Sequence, residues 1–162
     1  MMPFRAAIAG GVAAVMTAHV LYPALDEEQP ATLSRGIVQD ILRDEFGFQG
    51  LIVSDDLEMG AIVETQTVEQ AAVGALRAGC DTLLVCGESV DRHVSVIEEV
   101  IRAVERGELD ETCVEVALAR QQRVKARFLG GERSRRPLAG EALRARLGTS
   151  AHQAVAAEIA RA

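Results

Sequence analysis

Three clusters of chemistry-bearing residues stand directly after apolar runs: Thr17-Ala18-His19 with Tyr22-Pro23, Ser54-Asp55-Asp56-Leu57-Glu58-Met59, and Cys86-Gly87-Glu88-Ser89. Working residues of parallel α/β folds gather at the carboxyl ends of strands, where the βα loops open and the following helices point their positive ends inward. The middle cluster is the strongest of the three. GLIVS (50–54) drives a buried strand into two adjacent carboxylates, Asp55 and Asp56. Such acids can bind a cation, accept a phosphoryl group or attack an electrophilic carbon. A solvated loop with an N-capping aspartate fits the same pattern. A receiver-type phosphoacceptor is excluded, because that chemistry needs a lysine at a later strand end. The only lysine, Lys125, lies inside a terminal helix.

The elements that must position these residues follow from apolar spacing. Ala13–Val20, Gly50–Ser54 and Asp81–Gly87 are nearly continuous apolar runs of strand length, as expected for strands covered on both faces. Ser34 to Phe46 places Ile37, Val38, Ile41, Leu42 and Phe46 at helical spacing, with Ser34 as N-cap and Gly47 as the stop. Thr67 to Ala78 opens with a T-V-E-Q capping box and ends at Gly79, which suits a left-handed C′ position. Val90 to Arg106 carries Val90, Val94, Ile97, Val100, Ile101 and Val104 on one face before Gly107, and a further helix runs from about Asp110 to Phe128. The order helix–β–α–β–α–β–α–α implies βαβ crossovers and an α/β fold. Pro3 to Gly11 reads as the end of a helix leading into a buried strand over Val12 to Val20, and not as a targeting segment. Gly130-Gly131 and RSRRP (133–137) mark a boundary, dividing residues 1–129 from a linker and helical tail over 130–162.

Composition narrows the function classes. The 162 residues are 49% hydrophobic, 25% charged and 3% aromatic, too apolar for disorder. No stretch reaches the roughly 18 apolar residues of a membrane span. With no Trp and one Tyr, aromatic platforms for single-stranded nucleic acid are lacking. Three cysteines (Cys80, Cys86, Cys113) without CxxC spacing argue against a disulfide framework or zinc site, and fit a reducing, cytoplasmic setting. The net charge of −7 divides into −14 over residues 1–116 and +7 over 117–148. The basic run (Arg120, Arg123, Lys125, Arg127, Arg133, Arg135, Arg136, Arg144, Arg146) reads as a solvated helix and linker neutralising an acidic body, with phosphate contact as the rival.

The strings AAVMTAHVLYPALD (13–26), PATLS (30–34), ILRDEFGFQGLIVSDDLEMGAI (41–62) and ALRAGCDTLLVCG (75–87) resemble family 3 glycoside hydrolases, and among them the bacterial β-N-acetylhexosaminidases. The similarity runs through about residues 3–128. It implies an α/β fold, the C-terminal portion of a (β/α)8 TIM-type barrel with about three parallel strands and flanking helices, left incomplete. It implies that Asp55 is the nucleophile of a retaining mechanism, attacking the anomeric carbon of an N-acetylhexosamine to form a covalent glycosyl-enzyme. Asp56 would orient the loop. His19 would face the pocket and steady the nucleophile loop or sugar hydroxyls, although a hydrogen-bonded histidine beneath a loop fits as well. Met59 would line the sugar site, although a methionine there commonly packs. His93 and His152 read as structural or surface residues. No cofactor and no metal are implied.

The resemblance also implies a carbohydrate partner, an N-acetylglucosamine-containing glycan of the kind found in cell-wall recycling. The general acid/base of this group is a histidine near a Lys-His-Phe-Pro-Gly-His-Gly-like motif, and these 162 residues contain no such string. General acid help contributes about 10²–10⁴-fold, so the chain alone is expected to be inactive or nearly so. It is also expected to aggregate through unpaired strand flanks. Three alternatives stay open: a non-catalytic half-barrel interaction module, one half of a split enzyme that binds a complementary N-terminal barrel half, and a β-glucosidase-type enzyme. Neither nucleic acid nor membrane is an expected partner.

Overall fold

A computed structural model describes residues 1–130 and 138–161. Gly131 and the RSRRP run of the expected boundary, with Arg133, Arg135 and Arg136, lie outside the described residues. Residues Met1–Lys125 and Ala126–Ala162 form two compact units. In the first, helix α1 (Met2–Ala9) leads into β1 (Ala14–Met16), followed by α2 (Gly36–Glu45), β2 (Leu51–Asp56), the single turn α3 (Gly60–Val63), α4 (Val68–Ala78), β3 (Thr82–Leu84) and α5 (Val90–Glu105). Helix α6 (Glu111–Leu129) follows, and the second unit contributes α7 (Gly140–Arg144) and α8 (Ser150–Ile159). No helix among the described residues is long and apolar enough to cross a membrane.

The strands form one parallel sheet in the order β1-β2-β3, with Val15 opposite Ile52 and Val53 opposite Thr82. Only β2 is central. Its Ile52 is fully buried against Val38, Leu42, Phe48, Ala75, Ala78 and Cys80, so α2 and α4 cover one face of the sheet. A second cluster joins Leu57 and Ile62 to Val68, Ala71 and Ala72 of α4 and Val96 of α5. Helix α4 begins with the expected reciprocal capping box between Thr67 and Gln70 and ends at Gly79, whose φ of 114° is left-handed.

Four expectations are corrected. The run Ala13–Val20 is not a doubly covered strand. Only Ala14–Met16 is extended, and Met16 is 57% exposed, because β1 pairs on one side alone among the described residues. The Asp81–Gly87 run shortens to Thr82–Leu84, all half-buried, for the same reason at the opposite edge. On α5 the buried residues are Val96 and Ala103, while Val90, Val94, Ile97 and Ile101 are exposed. This helix packs on α4 through a stripe rotated away from the larger apolar one. Helix α2 is wound with i→i+5 bonds, as in Phe46 N–H to the Ile41 carbonyl at 2.9 Å. The wider ring brings Arg43 onto the buried face five residues after Val38, where an ordinary helix would turn it aside. Ser34 Oγ still accepts the Ile37 amide at 3.2 Å, as a capping serine does.

Arg43 meets Asp81 at the amino ends of β2 and β3. The Asp81 carboxylate accepts from Arg43, from the Ile52 amide at 2.8 Å and from Arg120 of α6 at 2.9 Å. Arg43 also donates to the carbonyls of Phe48 (2.8 Å) and Gly50 (2.6 Å). Burial pushes the Arg43 guanidinium below its ordinary value, and the charge of Asp81 opposes that shift. Arg120, the first residue of the basic run, is thereby committed to the core.

Removing Asp81 leaves two guanidiniums facing a buried void. Asp81→Ala should therefore lower the unfolding free energy by about 3–5 kcal/mol, read from the midpoint of urea denaturation. Arg43→Met, which keeps the apolar stem and leaves Asp81 with Arg120 and the Ile52 amide, should cost less. A pH effect follows from Glu69 of α4, which accepts the Ser95 hydroxyl of α5 at 2.7 Å. That bond holds the Glu69 carboxyl below its usual range. Its contribution is complete above the unfolded-state value of about 4.3 and is lost as pH falls through the lower folded value. Glu69→Gln should flatten the fall of thermal midpoint in that acid window.

Candidate active site

Strand β2 runs two residues beyond the expected GLIVS run and includes both aspartates. The reason is a bulge. Val53 lies opposite Thr82 but Asp56 lies opposite Leu84, so β2 has one residue more than β3 across this interval. Such an extra residue bends a strand and re-aims its side chains, and bulges are frequent beside active sites. Ser54, fully buried, repairs the ladder: its hydroxyl accepts the Leu84 amide at 2.9 Å. Leu57 N–H then bonds the Leu84 carbonyl at 2.9 Å, restoring the pairing beyond the aspartates.

Asp55 is half-buried at the carboxyl end of β2. Its Oδ1 accepts the Asp56 amide at 2.8 Å. The Asp56 carboxylate turns the other way, and its Oδ1 accepts the amides of Glu58 and Cys86, each at 3.1 Å. The two acids thus differ in how far they are tied: Asp56 Oδ1 takes two backbone amides, one from its own turn and one from the loop after β3, while Asp55 Oδ1 takes only the amide next to it. Neither caps α3, whose N-cap is Met59 without a side-chain bond.

His19 reaches beneath this loop. Its Nε2 donates to the Asp56 carbonyl at 2.9 Å, since a carbonyl only accepts. Nδ1 lies 2.9 Å from the hydroxyl of Thr32, itself 2.9 Å from that of Thr17. In a neutral ring, Thr32 donates to Nδ1. The backbone places this chain through Thr32 N–H to the Ala18 carbonyl (3.3 Å) and Ala31 N–H to the Val20 carbonyl (2.9 Å). Both ring nitrogens are engaged, so the geometry is that of a histidine supporting a loop. The structure joins His19 to the Asp55–Asp56 segment. Met59 donates its amide to the Asp56 carbonyl at 3.1 Å, while its side chain is 44% exposed.

Three contributors had no role assigned from the residue pattern: Thr32, and Ser54 and Glu58 of the middle cluster. Glu58 Oε2 accepts the Gly87 amide at 2.5 Å. Each lies inside a string that carries the family resemblance, and that was the signal available. His93 donates from Nε2 to the Val85 carbonyl at 3.0 Å, a structural role as expected, and His152 is exposed on α8. Burial pushes the Cys80 thiol up to about 12, and desolvation and then the charge of Asp56 raise that of Cys86. Among the described residues no three His, Cys, Asp or Glu side chains are grouped to hold a metal ion.

Comparison with known proteins agrees with this architecture. Residues 1–124 match the Glycosyl hydrolase family 3 N terminal domain. A β-hexosaminidase of Stenotrophomonas maltophilia is 43% identical over 105 residues, covering 65% of this chain and 29% of that protein. A family 3 β-N-acetylglucosaminidase structure from Paenibacillus sp. str. FPU-7 superimposes with a TM-score of 0.76 at 39% identity, over 85% of this chain and 26% of the other. The β-glucoside phosphorylase BglX superimposes with a TM-score of 0.79 at 27% identity, over 97% of this chain and 29% of the other. The chain spans between 24% and 36% of the length of these curated relatives. Its three parallel strands and flanking helices are part of a barrel domain, and the chain belongs to glycosyl hydrolase family 3.

Proposed function

We propose that this chain supplies the nucleophile side of a retaining β-N-acetylhexosaminidase, with Asp55 as nucleophile. The observation that carries the reading is the division of labour between the two acids. Asp56 is spent on the amides of Glu58 and Cys86, whereas Asp55 stands at the strand end with one oxygen bound to a single amide. In the first step an Asp55 oxygen bonds to the anomeric carbon as the glycosidic carbon–oxygen bond breaks. The leaving oxygen takes a proton from a general acid that these 162 residues do not provide. Water then attacks the same carbon and gives a proton back to that external group, now acting as base, while the ester bond breaks to restore the Asp55 carboxylate and release the sugar with retained configuration. His19 acts by holding the Asp56 carbonyl, and Met59 borders the mouth. The absence of CxxC spacing among the three cysteines fits a cytoplasmic setting for this reading. Residues 1–129 are the barrel portion and 130–162 the linker and tail.

The substrate is a terminal β-linked N-acetylglucosamine, supported by the names of the hexosaminidase and acetylglucosaminidase relatives. The overlay on a β-glucoside phosphorylase favours a second reading, in which the same ester forms on a glucosyl unit.

An activated donor separates these readings without requiring the missing acid. With a 5-fluoro N-acetylglucosaminyl fluoride, the Asp55–carbon bond forms as fluoride leaves, and intact mass should increase by one sugar residue. Asp55→Asn should take up none, and preferential labelling by the glucosyl analogue would favour the second reading. Turnover of an aryl N-acetylglucosaminide by the chain alone should be negligible, and full-enzyme turnover would overturn the assignment of an external acid.

His19→Ala removes the donor to the Asp56 carbonyl and the partner of Thr32. Labelling should slow by about tenfold to a hundredfold, the scale of a misplaced reacting group. Thr32→Val, which leaves the imidazole in place, should show a smaller loss in the same labelling rate.

A further inference from the structure

The loop from β3 into α5, residues 85–89, is held by side chains from outside itself. Asp56 takes the Cys86 amide at 3.1 Å, Glu58 takes the Gly87 amide at 2.5 Å, and His93 donates to the Val85 carbonyl at 3.0 Å. The same close approach shows at the Gly87 Cα. A Cβ built there would lie 2.7 Å from Glu58 Oε1 and closer still to Oε2, well inside van der Waals contact. Its φ is not in the left-handed region. A side chain at 87 would therefore displace the Glu58 carboxylate from the place it holds against this loop.

We propose that Glu58 is a positioning residue for Asp55, a strut that locks the β3–α5 loop against the nucleophile segment and so fixes where the Asp55 carboxylate points. The proposal rests on the reading of Asp55 as nucleophile. Every amide from 56 to 59 is committed: Asp56 to Asp55 Oδ1, Leu57 to the Leu84 carbonyl, Glu58 to Asp56 Oδ1 and Met59 to the Asp56 carbonyl. This segment can rotate only if the loop beside it yields, and Glu58 is its tie to Gly87. The tie also disposes of charge. Asp55, Asp56 and Glu58 are three acids in four residues, and a nucleophile gains nothing from anionic neighbours aimed at it. Asp56 is turned onto two amides. Glu58 is turned onto one amide, with the Arg92 guanidinium 4.0 Å away, and Arg92 lies 3.6 Å from Glu69 of α4. The strut is therefore braced from the helix layer, while Asp55 is left as the acid at the mouth.

The test uses the whole 162-residue chain with isotopic labels and the 5-fluoro N-acetylglucosaminyl fluoride donor. Glu58→Ala removes the acceptor, Glu58→Gln keeps an acceptor oxygen without the charge, and Gly87→Ala displaces the carboxylate while leaving Glu58 in place. Glu58→Ala and Gly87→Ala should both speed hydrogen exchange at Cys86 and Gly87 about tenfold or more, and shift the carboxyl carbon resonance of Asp55 at neutral pH. They should slow maximal labelling about tenfold without changing the donor concentration for half-saturation, because orientation and not sugar binding is lost. Glu58→Gln should recover most of each effect. Faster exchange at 86 and 87 with an unmoved Asp55 resonance and an unchanged labelling rate would overturn the proposal, leaving Glu58 a loop anchor only. If the parent chain takes no label but the Asp55 resonance still follows Glu58, the coupling stands and the nucleophile reading falls.

Discussion

The buried carboxylate of Asp81 is the constraint from which the rest of the first unit follows. It sits where β3 begins and takes hydrogen bonds from the Ile52 amide of β2, from Arg43 of α2 and from Arg120 of α6. Its own amide returns to the Ile52 carbonyl at 2.8 Å, and Gln121 of α6 donates to its carbonyl at 3.0 Å. Two strands and two helices are thus referred to one side chain. A buried ion pair of this kind is weak evidence for stability, because its desolvation cost rivals its attraction. Its plausible return is specificity: a slip of β3 along β2 would strand a carboxylate and two guanidiniums in a low-dielectric interior. Register set at the amino ends decides which residues arrive at the carboxyl ends, and hence that Asp56 emerges opposite Leu84 with Asp55 just before it.

The opposite end of the same strand pair is tied by the same chemistry with the roles exchanged. At the amino end a β3 carboxylate captures a β2 amide. At the carboxyl end, acids at and just beyond the end of β2, Asp56 and Glu58, capture the Cys86 and Gly87 amides that follow β3. The bulge between these ties is where the pairing departs from regularity, with Ser54 Oγ standing in for a backbone acceptor. Irregularity confined between two fixed ends re-aims one side chain without loosening the sheet. A regular ladder would keep strict alternation along β2; the extra residue gives the adjacent acids separate partners.

The elements were legible where local chemistry alone decides them. Thr67 and Gln70 announce a capping box, Gly79 a left-handed stop, and GLIVS a central strand, and each needs only near neighbours. What was not legible depended on partners distant in sequence. Arg43 looks like one of several surface arginines until the wide winding of α2 brings it under Phe48 and Gly50. Met16 and the Val90, Val94, Ile97 and Ile101 stripe look buried because they are apolar, yet burial depends on what lies on the far side. His19 was visible with its alternatives open, facing the pocket or bonded beneath a loop, because the partners it binds, Thr32 and the Asp56 carbonyl, lie apart from it in sequence.

If Asp55 is the nucleophile, as proposed, the same logic accounts for a second acid beside it. A carboxylate that attacks carbon must keep an oxygen free and still be held in direction, and one side chain meets both demands poorly. Here holding is delegated. The Asp56 carbonyl takes His19 and the Met59 amide, its carboxylate takes two further amides, and Glu58 reaches across to the neighbouring loop. Asp55 is left with a single bond to the amide next to it. Preorganisation of this sort is set in the folded state, so that on the proposed mechanism no reorientation is required as charge develops at the reacting carbon. On the proposed reading of Asp55, the residues around it act through the geometry they hold, with no need to touch the substrate.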